Sequence, residues 1–222
     1  MAENKISLRT LFIKTLGYSI ALAFAMQAAH SATRAVLSLL TGLADPEAGT
    51  LIAAIGELIS KTAWSVVVCE GLVFATIFAR RLWLVAILVA GIGALSAAFV
   101  GAYLRGAFEN LFFAAAFNVN AALNASVLLS SKYVFVAPAL AWAKRRGQSL
   151  RDYFAAGGAA SFIAALITLF APSGGNYIAR GGMIAVDILF PLGCASVVWK
   201  MNQLTESVRA QQQFAREALK NI

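Results

Sequence analysis

AWSVVVCEGLVFATIFA, residues 63–79, is an unbroken apolar run with one ionisable group, Glu70, at its centre. A helix needs about 17–25 mostly apolar residues to cross the roughly 30 Å hydrocarbon core of a bilayer, and this run meets that requirement. A carboxylate at mid-membrane costs at least about 2.5 kcal/mol unless it is protonated, paired or wetted. Glu70 is therefore expected to face other helices or a water-filled cavity, not lipid. Two readings follow: an ion or proton relay or substrate contact, or a protonated side chain hydrogen-bonded to a neighbouring helix as packing glue.

The rest of the chain has the same character. Its 222 residues are 60% hydrophobic and only 13% charged, about half the charged share of an ordinary soluble domain, and the mean hydropathy is +0.77. The apolar residues fall in long blocks, which implies a multi-pass membrane protein with little room for a soluble domain. A net charge of +8 would suggest nucleic acid in a soluble chain. Here the basic residues sit at span ends, where they set orientation and meet anionic lipid, and no nucleic-acid partner is expected. Cys69 and Cys194 each lie inside an apolar run, so they are expected to pack as small hydrophobes. One histidine and two separated cysteines supply neither the usual zinc set nor paired haem ligands, so no metal or cofactor is expected.

The fold class expected is an all-α polytopic bundle of about six transmembrane helices, residues 1–200. An amphipathic segment at the outer surface and a cytoplasmic C-terminal helix, 201–222, complete it. The first span begins at Leu16 behind a head carrying Lys5, Arg9 and Lys14. This also resembles a signal peptide, but the apolar stretch resumes at Ala35, so retention is expected. Gly17, Ala21, Ala25 and Ala29 fall four apart, a stripe suited to close helix packing. His30 and Arg34 continue it, either as interfacial residues or as cationic partners for a buried carboxylate. Asp45-Pro46-Glu47 reads as a helix start. Leu51, Ile52, Ile55, Leu58 and Ile59 follow at helical spacing, with Glu57 and Lys61 able to pair. That segment is expected to be a surface helix or the tilted outer end of the second span, which ends at Arg80-Arg81.

The third span is placed at 82–104, with Gly93, Ala97 and Gly101 as a packing stripe and Arg105 and Glu109 at the next turn. Region 107–143 is too long for one span, so a break is expected near Ser130-Ser131-Lys132, leaving 132–143 re-entrant or interfacial. Glu109, Asn120, Asn124 and Ser131 share a helical face that either bonds other helices or lines a polar path. Lys144, Arg145 and Arg146, with Arg151 nearby, form the densest basic cluster, a cytoplasmic loop compatible with anionic lipid. The fifth span is 153–170 and the sixth 182–199. The sixth carries Asp187 one turn before Pro191, which suits an ion site, or else an interfacial acid paired with Arg180 or Arg34. The tail from Lys200 has a weak heptad, fit for an oligomeric coiled coil or a helix resting on the membrane.

Most basic residues fall on one side if both termini are cytoplasmic, as in a bacterial inner membrane. The function expected is a small channel or transporter for a cation or a proton-coupled solute. Glu70 is its centre, Asp187 its entry, and Asn120, Asn124, His30 and Arg34 lie along the path. The alternative is a non-transporting subunit of a larger membrane complex, held by its small-residue stripes or as a homo-oligomer. No nucleophile-plus-base pair, metal cluster or phosphate loop is visible, so an enzyme is not expected.

Overall fold

A computed structural model describes residues 8–45, 51–78, 94–113, 118–147, 149–170 and 176–220. Seven helices fill these segments: α1 Leu8–Thr41, α2 Leu51–Phe78, α3 Ala94–Phe113, α4 Val119–Tyr133, α5 Val136–Arg146, α6 Leu150–Phe170 and α7 Tyr177–Lys220. No strand occurs among the described residues. Five helical stretches are long and apolar enough to cross a membrane: Leu8–Thr41, Leu51–Thr76, Ala122–Arg146, Leu150–Phe170 and Tyr177–Ser207. Helix is the form such sequence must take in hydrocarbon, because it satisfies every backbone N–H and C=O within the segment. Most of the expected third span, and the Arg80-Arg81 end of the second, lie outside the described residues.

The structure changes several details of the expected layout. On α1 the buried face is Leu11, Thr15, Ser19, Ala23, Met26, His30 and Arg34, whereas Gly17, Ala21 and Ala25 face outward and a methyl group on Gly17 would meet nothing within 4 Å. The polar members of the first set outweigh the small size of the second: a hydroxyl, imidazole or guanidinium turned to lipid would lose its partners. Residues 51–59 form no separate surface helix but are the first turns of α2, continuous with the apolar run. Arg105 and Glu109 mark no turn; they pair within α3, with Arg105 Nε donating to Glu109 Oε1 at 2.7 Å.

Region 107–143 is divided differently from the expectation: its first residues belong to α3, which ends at Phe113, and α4 opens at Val119. A two-residue interruption follows at Val134-Phe135, and Ala122–Arg146 taken across it is one of the stretches able to span, so 132–143 continues a span and is not a separate re-entrant or interfacial piece. Pro138 explains the position of the interruption. Restarting at Val136 puts the proline in the first turn of α5, where its missing N–H would have had no helical partner anyway. Finally, α7 runs through Lys200 unbroken to Lys220. Its 44 residues extend about 66 Å at 1.5 Å per residue, beyond the thickness of a bilayer.

Glycine contacts fix how the helices pass. A Cβ on Gly182 would strike His30 and Arg34, and one on Gly193 would strike Leu22. Rising numbers on α7 thus meet falling numbers on α1, so the two are antiparallel, and the start of α1 lies at the same end of this pair as the later turns of α7. α1 and α2 are also antiparallel, since Ser65 Oγ donates to the Ser19 carbonyl at 3.0 Å while Glu57 reaches His30. α2 and α7 therefore run parallel. Two further glycines mark close helix approaches: Gly101 of α3, whose Cβ would lie 2.9 Å from the Ser60 carbonyl oxygen of α2, and Gly157 of α6 against α7. A Cβ on Gly157 would lie 2.9 Å from Ala195 Cβ and 3.1 Å from the Pro191 carbonyl oxygen, so the absent side chain lets the backbones meet.

Gly157→Ala should accordingly destabilise the protein by about 1–3 kcal/mol through overpacking. Gly158→Ala, at a neighbour whose Cβ would meet nothing within 4 Å, should stabilise α6 by up to about 1 kcal/mol through helix propensity. Thermal unfolding of the two variants in detergent checks the contrast; equal melting temperatures would refute the close contact.

Candidate functional site

Apart from a buried pair in which Asn202 of α7 donates to the Tyr153 hydroxyl of α6 at 2.8 Å, three groups of polar side chains inside the bundle hold the ionisable residues that bear on a site. The first lies where α1 meets the early turns of α2. Arg34 donates to both oxygens of Asp45, Nε to Oδ2 at 2.9 Å and a terminal nitrogen to Oδ1 at 2.6 Å. Such a forked pair is the strong geometry for guanidinium and carboxylate. One turn earlier, His30 Nδ1 stands 3.1 Å from Glu57 Oε2 and 3.0 Å from Lys61 Nζ. The ring nitrogen donates to Glu57 when it carries a proton and accepts from Lys61 when it does not. Lys61 also donates to Glu57 at 3.2 Å and to the Gln27 side-chain oxygen, while the Gln27 amide reaches Glu57 at 3.3 Å. The carboxylate of Glu57 thus gathers donors from two helices, which offsets its removal from water.

The second group surrounds Asp187 on α7, whose side chain is fully buried. Lys132 Nζ lies 3.3 Å from each of its oxygens, the Tyr133 hydroxyl donates at 2.7 Å, and Thr168 donates a further bond. Lys132 is itself only 1% exposed. A dry ion pair persists only when additional hydrogen bonds fill the remaining lone pairs, and Tyr133 and Thr168 do that. Pro191, one turn on, has no N–H to offer the Asp187 backbone carbonyl, and Ser161 donates to the adjacent Ile188 carbonyl at 2.8 Å. α4, α6 and α7 are in this way tied at one point.

The third group is Glu70 with its surroundings. Glu70 is 9% exposed, and neither carboxyl oxygen has a hydrogen-bond partner among the described residues. The preceding residue, Cys69, faces Cys194 of α7 with the sulfurs 3.6 Å apart. That contact sets the register of two parallel helices. Asp187 precedes Cys194 by seven residues, which puts it level with Thr62, beside Lys61. The first two groups therefore lie at similar depth. Glu70 is nine residues farther along α2 than Lys61, about 13 Å deeper. Between them sits an aromatic layer: Trp64 stacks on Tyr133 with centroids 5.5 Å apart, and Phe190 meets both edge-on at 4.4 and 4.7 Å. Trp64 is thus a core residue, not the interfacial anchor that an aromatic belt would make it.

Of the residues singled out in the sequence, His30 and Arg34 join one network, Asp187 belongs to another, and Glu70 stands apart from both. Arg34 pairs with the carboxylate of Asp45 and His30 meets that of Glu57, whereas Asp187 pairs with neither Arg34 nor Arg180. Asn120 and Asn124 are exposed on α4 and do not converge on Glu70 or Asp187. Sequence reasoning passed over Lys132, Tyr133 and Thr168. The signal for Lys132 was present: a lone lysine and a lone aspartate in separate apolar stretches of one bundle each demand a partner. Among the described residues no group of three or more His, Cys, Asp and Glu side chains could hold a metal ion.

Removing one member of the buried pair should be costly. Lys132→Met leaves Asp187 ionised without a counter-charge, and Asp187→Leu strands the ammonium; each should cost about 3–5 kcal/mol. The double variant removes both charges and should recover most of that loss. Unfolding of the two single variants and the double in detergent measures the coupling, and additive losses would exclude a direct pair.

The chain matches no family model, no curated protein and no solved structure. Its function has to be argued from these side chains.

Proposed function

We propose that this is a small integral-membrane transporter or channel of a bacterial inner membrane, with Glu70 as its proton- or cation-binding group. A single observation carries the reading. Glu70 is a buried carboxyl, in an apolar span, whose two oxygens lack donors among the described residues. Every other buried acid described in the bundle has its donors. A carboxyl without a partner costs about 1–3 kcal/mol in unmet hydrogen bonding, more if it is ionised, and it can take what the others cannot, a proton or a desolvated cation. Intramembrane acids in general mark such pathways. In this reading Asp187 is an ion-paired element that holds α4, α6 and α7 in place instead of an open entry group. His30 and Arg34 belong to the end of the bundle where the path begins. Both termini face the cytoplasm, and Lys144, Arg145 and Arg146 meet anionic headgroups, with Arg146 held over Trp142 at 5.0 Å.

A second reading, a non-transporting subunit of a larger assembly, draws on the outward-facing polar and small groups. Asn120 and Asn124 on α4, and Gly17, Ala21 and Ala25 on α1, are exposed in the single chain. Another protein surface would cover amides better than lipid does.

Two substitutions at one position separate the readings. Glu70→Gln should reduce proton or cation flux in proteoliposomes to the level of empty vesicles while expression stays normal. Glu70→Leu should abolish flux and also stabilise the protein by about 1–3 kcal/mol, because it removes an unmet polar group from an apolar site. Unchanged flux in Glu70→Gln would remove the transport reading. A melting temperature lowered by Glu70→Leu would mark Glu70 as packing glue.

A further inference from the structure

We propose that Cys69 and Cys194 form a redox site, a dithiol that a small uncharged peroxide converts into a disulfide fastening α2 to α7. Both cysteines are free and fully buried. Their sulfurs are in contact at 3.6 Å although the residues stand 125 apart in the chain. A disulfide requires a separation of about 2.05 Å, so each sulfur need move less than about 1 Å, within the reach of side-chain rotation. The Ser65 hydroxyl, one turn before Cys69, is committed to the Ser19 carbonyl at 3.0 Å, and the Ser19 hydroxyl to the Thr15 carbonyl at 2.8 Å, so neither competes for the thiols. The two thiols therefore have each other as their side-chain contact inside the apolar core.

Burial selects the oxidant. Glutathione and protein oxidoreductases cannot reach sulfurs with no exposed surface, whereas hydrogen peroxide is small and uncharged. The thiolate of one cysteine attacks a peroxide oxygen and the O–O bond breaks, giving a sulfenic acid and a hydroxide that takes up the thiol's proton as one water. The second sulfur then displaces the sulfenic oxygen. An S–S bond forms, the S–O bond breaks, and the second thiol's proton leaves with the hydroxide as another water. Each sulfur is oxidised by one electron, and the two peroxide oxygens are reduced. With the partner thiol already in contact, the sulfenic acid is captured before it advances to irreversible oxidation states. The bond closes one residue from Glu70 and holds its helix to α7. The site itself does not depend on the transport reading.

The test uses the full-length protein in detergent, treated with hydrogen peroxide, quenched with catalase, then denatured and alkylated with N-ethylmaleimide. Intact mass should show the loss of two hydrogen atoms, with alkylation falling from both cysteines to neither and restored by dithiothreitol. Peptide mapping should join the segments holding Cys69 and Cys194. Retention of both labels, sulfinic or sulfonic acid on either residue, or disulfides between chains would each overturn the proposal. Cys69→Ala and Cys194→Ala should each lose the mass shift, and the wild-type readout stands even where a variant does not fold.

Discussion

A polar atom inside a hydrocarbon slab has no water to turn to, and this one constraint arranges the interior of the protein. It selects helix for every segment that crosses, since only internal hydrogen bonds then satisfy the backbone. It also overrides simple packing preference, as α1 shows. The regular Gly17, Ala21 and Ala25 stripe would let a neighbour approach closely, yet the helix turns Thr15, Ser19, His30 and Arg34 inward instead. The serines and threonines settle part of their requirement locally, with Thr15 donating to the Leu11 carbonyl and Ser19 to the Thr15 carbonyl. The ionisable groups cannot do so and must be met by a second helix or by the loop that leads to it.

The same constraint accounts for what could be read in advance. The long apolar blocks and the helical class rest on composition and local spacing, which the sequence states directly. For His30 and Arg34 the sequence leaves two readings open, interfacial residues or partners of a buried carboxylate, and the structure meets the second. The identity of the carboxylate was not legible. Glu57 and Asp45 meet them only because α1 and α2 are antiparallel with a particular register, and register depends on contacts between distant residues, such as Ser65 against Ser19. The Lys132–Asp187 pair was hidden for a related reason. Lys132 appeared to stand at the end of a span, and the break at Val134-Phe135, set by Pro138 downstream, carries it into the core. Asn120 and Asn124 misled in the opposite sense. They do share a helical face, but a shared face becomes a lining only if it points inward, and a helical wheel has no inside.

Against this background Glu70 is the exception: a buried acid whose oxygens have no donor among the described residues. Glu57 gathers donors from Gln27, His30 and Lys61, Asp45 holds Arg34, and Asp187 holds three donors. A new ligand at any of these would first have to displace a bond already made. Glu70 has nothing to give up.

The geometry also limits how a proton could reach that acid. From the level of Lys61 to Glu70 is about 13 Å along α2, several times the length of one hydrogen bond. Trp64, Tyr133 and Phe190 fill part of that interval with rings, and the Tyr133 hydroxyl is already committed to Asp187. The side-chain hydrogen bonds described at the level of Lys61 do not extend to Glu70, whose oxygens have no donor among the described residues. On the proposed transport reading, conduction then requires either water entering past the aromatic layer or a shift of α2 relative to α7 that opens it. The second route acts at the contact where Cys69 meets Cys194, since that is where these helices touch beside Glu70. Binding at Glu70 and movement of α2 would thereby be one event, because a charged or newly ligated carboxyl changes which packing of its own helix costs least.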